Sequence, residues 1–217
     1  MKDDQFTRFN SVLTTAEKQI VDGLDTPNKI SLFLDTVQYP STGNNRSVIN
    51  ILRERQGHCL DGGLFAAAML SRLGFPAQII DLLPEPGTDD DHILALFKQN
   101  NCWGCVAKSN FTGLRFRDPI YKSLRELVMS YFEVYFNMDR LKTLRGYTRP
   151  VHLKIFDRLN WLVDDHAVDV IEKHLYTLKA IPLLTPEMVL SLSLLDQRSF
   201  AAHLSGVNMD GLYKGSP

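Results

Sequence analysis

Residues 55–77 read RQGHCLDGGLFAAAMLSRLGFPA and include one of the longest apolar windows of the chain. From Leu60 to Leu73 apolar residues occupy every face of a helix, which is the pattern of a central buried helix. Gly62 and Gly63 lie in its first turns, although each glycine costs a helix about 1 kcal/mol. They therefore predict that another backbone or a ligand comes close there, and the glycine and proline of residues 74–76 predict the end of the helix.

Short β-type segments follow this helix. Residues 77–83 and 93–97 are apolar runs, separated by a turn-rich loop that ends in three aspartates at 89–91. Asn100-Asn101 predicts a hairpin turn into a strand at 102–108, and residues 114–118 continue the pairing. The middle of the chain is thus predicted to form a small antiparallel sheet.

Helices are expected on both sides of this segment. The starts of four helices are marked by Thr14, Thr26, Ser123 and Thr185. A further short helix is predicted from Ser47 to Arg55. The helix after Ser123 is expected to run toward Phe136. At about 150 residues per domain, 217 residues fit one large domain. We expect a single α+β domain over 1–217, with a core at 45–120 and a mainly helical extension at 121–217.

The composition is that of an ordinary globular protein, with 44% hydrophobic and 23% charged residues. A formal net charge of −1 provides no field that would attract nucleic acid or anionic lipid. No apolar window approaches the ~18 residues of a membrane span, and the polar N-terminus is unlike a secretory signal. Three cysteines do not form a disulfide framework, so we expect a protein of the reducing cytoplasm.

Cys59 and His92 are the residues in which we expect chemistry. Cys59 lies where a loop enters the buried helix, and the positive end of the helix dipole is expected to lower its pKa. His92 follows the aspartates and opens a strand, so it is the candidate base for a thiol nucleophile. The alternatives are a small buried cysteine and a surface histidine at the end of a loop.

A third side chain would orient His92 by accepting the second N–H of its ring. The hairpin turn pairs positions that sum to about 201, which sets residue 92 near residue 109 and favours Asn110. If residues 111–113 form another turn, Asp118 lies further along the next strand, and a loop or bulge would bring it back. Both residues are candidates.

The order of these residues resembles the transglutaminase-like superfamily of papain-type cysteine enzymes, in a bacterial-type form. The match covers residues 45–120 and consists of the Gly-x-Cys at 57–59, the small-residue helix, the Gly-x-Pro-Ala at 74–77 and His92 at the start of a strand. The resemblance implies a buried helix headed by the nucleophile Cys59, packed on an antiparallel sheet that supplies the base His92. Asp118-Pro119 resembles the family's Asp-Pro.

Two positions depart from the family, since Leu94 replaces a frequent tryptophan and Gln78 a frequent arginine. The substrate cleft is therefore expected to differ. The backbone N–H of Cys59 is the expected first oxyanion donor. Gln56 and His58 are weaker candidates for oxyanion or substrate binding, with spacer residues as the alternative.

Cys102 and Cys105 form a Cys-x-x-Cys that invites a redox or zinc interpretation. Residues three apart on a strand face opposite sides, and no second ligand pair accompanies them, so we expect structural side chains and no metal site. The aspartates at 89–91 are expected to form a solvated loop.

The expected function is acyl transfer or amide hydrolysis through a thioester on Cys59, without a metal or organic cofactor. The substrate would be an amide or peptide, including that of a protein, and no nucleic acid or membrane partner is expected. The alternative is an inactive fold that binds a partner in the cleft or on the aromatic residues of 131–136.

Overall fold

The computed structural model of the protein describes residues 4–41 and 43–213. Its first five helices are α1 (Asp4–Val12), α2 (Thr15–Gly23), α3 (Pro27–Asp35), α4 (Val48–Glu54) and α5 (Cys59–Arg72). Four helices follow later in the chain: α6 (Leu124–Met129), α7 (Asp165–Leu175), α8 (Pro186–Leu190) and α9 (Gln197–His203). Within the described residues, none of the helices has the length and apolar character needed to cross a membrane.

The strands belong to one antiparallel sheet. They are β1 (Gln78–Pro84), β2 (His92–Gln99), β3 (Cys102–Val106), β4 (Arg117–Tyr121), β5 (Leu144–Tyr147), β6 (Val151–His152) and β7 (Ile181–Pro182). The strand order is β4-β3-β2-β1-β5-β7, and β6 also pairs with β1. The fold thus combines helices with an antiparallel sheet, as the α+β prediction requires.

Helix α5 lies against the sheet, and its residues from Leu60 to Leu70 are all buried. A Cβ on Gly62 would lie 2.2 Å from the Cβ of Lys108, and one on Gly63 would lie 2.5 Å from Cγ2 of Ile93. The two glycines therefore allow α5 to lie close to β2 and to the segment after β3, as their cost within a helix predicted. The approaching groups are the protein's own side chains.

The hairpin between β2 and β3 has the predicted register. Gln99 pairs with Cys102 and Ala95 with Val106, so paired residues sum to 201. Asn100 and Asn101 both have positive φ, at 50° and 62°. Two such residues give the turn whose twist matches that of the flanking strands.

The C-terminal range 121–217 differs in part from the mainly helical prediction, because β5, β6 and β7 lie in it and extend the sheet beyond β1. Helix α6 also ends at Met129, short of the predicted Phe136. The chain turns back there, since the N–H of Thr143 donates to the carbonyl of Tyr135 at 3.0 Å and Phe136 bridges Lys142.

The two faces of the sheet belong to different cores. Odd-numbered residues of β1 and β2 pack with α5 on what we name the α5 face: Ile79, Ile93, Ala95 and Phe97. Even-numbered residues pack with α6 and the aromatic residues on what we name the opposite face: Ile80, Leu82, Leu94 and Leu96. Because side chains alternate along a strand, a shift of one residue changes the core that a side chain joins.

Candidate functional site

Cys59 is the first residue of α5, as the sequence predicted. Its side chain is half-buried, and its Sγ lies 3.7 Å from the carbonyl oxygen of Asp91. The thiol lines a cavity of about 210 Å³. Other residues around this Cys59 cavity include Tyr39, His58, Asp90, Asp91, Glu172 and Tyr176.

The start of α5 is fixed by the buried carboxylate of Asp61. Its two oxygens accept the backbone N–H groups of His58 and Arg46, each at 2.9 Å. Burial raises the pKa of Asp61 to about 6, although both N–H groups favour the charged form. These bonds join the loop before α4 to the start of α5 and hold Cys59 in place.

The pKa of the Cys59 thiol is raised well above its usual value, opposite to the predicted lowering. Burial is the largest cause, and the carboxylates of Asp91, Asp90 and Asp81 add to it. Together they exceed the lowering effect of a hydrogen bond from the backbone of Ile93. The sequence prediction considered only the helix and not the carboxylates opposite it.

The structure places His92 on the opposite face of the sheet. Its Cα pairs with Leu82, and its Nε2 lies 2.7 Å from the carbonyl oxygen of Leu114. The centroids of the Tyr131 and Tyr135 rings lie 6.3 and 6.4 Å from the centroid of the His92 ring. Within the described part of the chain, no hydrogen bond or ring contact joins His92 to Cys59.

Burial among these groups lowers the pKa of His92 to about 4. The ring is therefore neutral near pH 7, and the Nε2–H donates to the carbonyl of Leu114. His92 lines a second, smaller cavity of about 40 Å³. Tyr39, Asp90 and Asp91 line both cavities and lie between them.

The structure brings neither Asn110 nor Asp118 to His92. The Asn110 amide donates to the carbonyl of Asn208 at 2.9 Å and accepts the N–H of the same residue at 2.8 Å. Asp118 is exposed on β4, within the irregular stretch of its pairing with β3. The backbone carbonyl of Leu114 takes the place that we expected for the third side chain.

Gln56 and His58, the weaker candidates for oxyanion or substrate binding, differ in their position relative to the Cys59 cavity. Gln56 accepts a hydrogen bond from Arg46 at 3.3 Å and does not line the Cys59 cavity. His58 does line it, with its ring edge against Tyr39 at 5.2 Å. Burial lowers the pKa of His58, so its ring is neutral near pH 7.

The acidic residues near Cys59 were not predicted as part of a site. Of the expected solvated loop, only Asp90 is exposed, whereas Asp91 is half-buried and the Asp89 carboxylate accepts the Thr143 hydroxyl at 2.7 Å. Asp81 is fully buried inside β1. A lone aspartate between Ile80 and Leu82 in an apolar strand was the signal that could have identified it.

Cys105 is fully buried, with its Sγ 3.0 Å from the hydroxyl of Tyr131, and burial raises its pKa to about 12. Cys102 is half-exposed at the start of β3. Among the described residues, no group of three potential ligands is arranged to hold a metal ion. The contacts of Cys105 are those of a packed core residue.

The sequence matches no protein-family model and no curated protein. The resemblance to transglutaminase-like enzymes therefore depends on the Gly-x-Cys, the Gly-x-Pro-Ala and the strand-opening His92 of the sequence.

Proposed function

We propose that this protein catalyses acyl transfer to an amine or to water from an amide or peptide, through a thioester on Cys59. The observation that carries the proposal is the position of the thiol. Cys59 heads a buried helix of 14 residues and also lines an open cavity. A cysteine that serves only packing is usually enclosed, as Cys105 is here.

The start of α5 suits the charge that develops in such a reaction. The first N–H groups of a helix have no acceptor within the helix, and the dipole favours negative charge at this end. An oxygen of the tetrahedral intermediate on Cys59 would therefore meet backbone donors, beginning with the N–H of Cys59.

The size of the Cys59 cavity limits what enters it. Its volume of about 210 Å³ is below the ~300–1,000 Å³ of most small-molecule sites. We infer that the reacting amide and one adjoining side chain enter, while the rest of a peptide or protein substrate stays outside. The reaction requires neither metal nor organic cofactor, and the reducing cytoplasm would keep the thiol active.

A transglutaminase-like core over residues 45–120 is part of this proposal. It is supported by the cysteine-headed helix on an antiparallel sheet and by the sequence order that ends in His92.

The second candidate is a non-catalytic module that binds a partner in the Cys59 cavity. It is favoured by the raised pKa of the thiol and by the position of His92 on the opposite face. Tyr131, Phe132, Tyr135 and Phe136 are all buried, so the aromatic surface considered from the sequence does not exist.

Acetylation by p-nitrophenyl acetate separates the two candidates. We expect release of p-nitrophenol and an acetyl group on the peptide that contains Cys59, located by mass spectrometry. Cys59→Ser should remove the adduct, and Cys102→Ser is the matched control because Cys102 is also half-exposed. A Cys59 that is acetylated no faster than Cys102 would favour the binding module.

A further inference from the structure

We propose that the Asp91 carboxyl, with Asp81 behind it, accepts and returns the proton of the Cys59 thiol, the task that the resemblance gives to His92. This inference rests on the proposed function and names the acid and base of the same site. Asp91 would be a catalytic residue and Asp81 a positioning residue.

The register of the sheet places both carboxyls on the side of the thiol. Asp81 pairs with Ile93, and Ile93 packs against Gly63 of α5. Asp91 lies immediately before β2, and its charge acts on both the Cys59 thiol and the Asp81 carboxyl. Asp91 lines the Cys59 cavity, and its carbonyl oxygen is the group that Cys59 Sγ contacts at 3.7 Å.

Asp81 supplies an independent observation. Its side chain is fully buried, and neither carboxylate oxygen has a well-formed hydrogen bond from a donor among the described residues. The Asp91 carboxyl and the backbone N–H of His92 are nevertheless close enough to act on its pKa. The backbone of Asp81 is satisfied, since the N–H donates to the Thr148 hydroxyl at 3.0 Å and the carbonyl accepts the Thr148 N–H at 2.9 Å. An isolated buried carboxylate is costly, and a proton shared with a neighbouring carboxyl relieves that cost.

The neighbours of the pair favour one shared proton. Burial and the Asp91 charge raise the pKa of Asp81 well above its usual value, and burial and the Asp90 charge raise that of Asp91 to about 6. Neither lysine nor arginine is among the described residues that line the cavity. The titratable groups around the pair are Cys59, Asp89, Asp90, Tyr39, His58, Tyr135, Glu172 and Tyr176.

The resulting chemistry is balanced. As the Sγ of Cys59 forms its bond to the substrate carbon, the thiol proton moves to a carboxylate oxygen of Asp91, and the carbonyl electron pair moves to the oxygen. When the tetrahedral intermediate collapses, the C–N bond breaks and Asp91 returns the proton to the leaving amine. Water or an amine then attacks the thioester, its proton is accepted by Asp91, and the proton returns to the departing thiolate.

Asp91→Asn tests the inference through two rates that should change in opposite directions. Acetylation of Cys59 by p-nitroacetanilide, which needs a proton for its leaving group, should fall about 100-fold. Alkylation of Cys59 by neutral iodoacetamide at pH 8 should become several-fold faster, because removing a negative charge lowers the thiol pKa. A purely structural role would move both rates in one direction.

Asp81→Asn and a remote control complete the design. Removing the Asp81 carboxyl should shift the acidic limb of the pH–rate profile to higher pH, because the hydrogen bond between Asp81 and Asp91 lowers the pKa of Asp91. Asp139→Asn, at an exposed loop residue, should change neither rate. Thermal melting of each variant checks that it is folded.

The outcomes separate this inference from the proposed function. Unchanged acetylation in Asp91→Asn, or acetylation lost in His92→Gln but kept in Asp91→Asn, would overturn the carboxyl assignment alone. If neither p-nitrophenyl acetate nor p-nitroacetanilide acetylates Cys59 of the wild type, the proposed function is overturned and this inference with it. A fall in both acetylation and alkylation in Asp91→Asn would reduce Asp91 to a structural role.

Discussion

The two faces of the sheet carry opposite kinds of ionisable group at the place where β1 meets β2. On the α5 face, the charges of Asp81 and Asp91 raise the pKa of Cys59, and the charge of Asp91 raises that of Asp81. On the opposite face, His92 is neutral and bonded to the carbonyl of Leu114. One step along β2 separates the two environments, so strand register and not sequence distance determines which group meets the thiol.

The two faces also differ in how they are covered. The Cys59 cavity holds about 210 Å³, whereas the cavity beside His92 is lined by Leu212 and Tyr213 of the C-terminal segment and holds only about 40 Å³. Asn110, which we predicted to orient His92, instead holds this segment through Asn208. His92 thus does not line the Cys59 cavity, whereas Asp91 does.

The largest change in the free energy of unfolding is expected from a substitution where α5 packs against the sheet. Gly63→Leu would insert a side chain where a Cβ already lies 2.5 Å from Ile93, and should lower the free energy of unfolding by about 3 kcal/mol. Gly23→Leu is the matched control, because nothing lies within 4 Å of a Cβ there. Urea unfolding measures both, and equal losses would contradict the close contact.

The free energy of unfolding should depend on pH with opposite signs for His92 and for Asp81. The folded pKa of His92, about 4, is below the unfolded value of about 6.5, so stability is lost as the pH falls through this window. The loss should reach about 2 to 3 kcal/mol by pH 4. His92→Gln should lack this part of the pH dependence, which urea unfolding at several pH values would reveal. An identical slope in the variant would place the titration elsewhere.

Asp81 should instead lower the stability of the protein as the pH rises. The folded pKa of Asp81 is raised, so its stabilising contribution is present below the unfolded value of about 3.9 and is lost as the pH rises. Asp81→Asn should therefore stabilise the protein by about 1 to 2 kcal/mol at pH 8, and this advantage should vanish near pH 4. Thermal unfolding at both pH values is the measurement, and destabilisation at pH 8 would contradict it.

The smallest changes in stability are expected from substitutions of Asn110 and Asp118, the two residues predicted as candidates to orient His92. Asn110→Ala should cost about 1 kcal/mol and speed amide exchange in residues 197–213, because it removes the bonds to Asn208. Asp118→Ala, at an exposed position, should stay within about 0.5 kcal/mol of wild type. Faster exchange in Asp118→Ala than in Asn110→Ala would contradict these placements.

Local features of the fold could be predicted because neighbouring residues encode them. Thr14 and Glu17 form the predicted capping box, with bonds of 2.7 and 3.2 Å. Asn100 and Asn101 set the hairpin register because both accept the positive φ that its turn requires. By contrast, β5 to β7 are only two to four residues long, so they left no periodic pattern to detect.

By itself the sequence determined that a buried helix begins at Cys59, that glycines bring it against its neighbours, and that His92 opens a strand. Only the tertiary structure decided that Asp81 and Asp91, rather than His92, face the thiol, and that burial raises the thiol pKa. The physical reason is that alternation along a strand fixes relative sides, while the side that faces a helix depends on how two distant elements pack. Likewise, the sign of a pKa shift depends on charges that lie far apart in the chain and meet only in the folded protein.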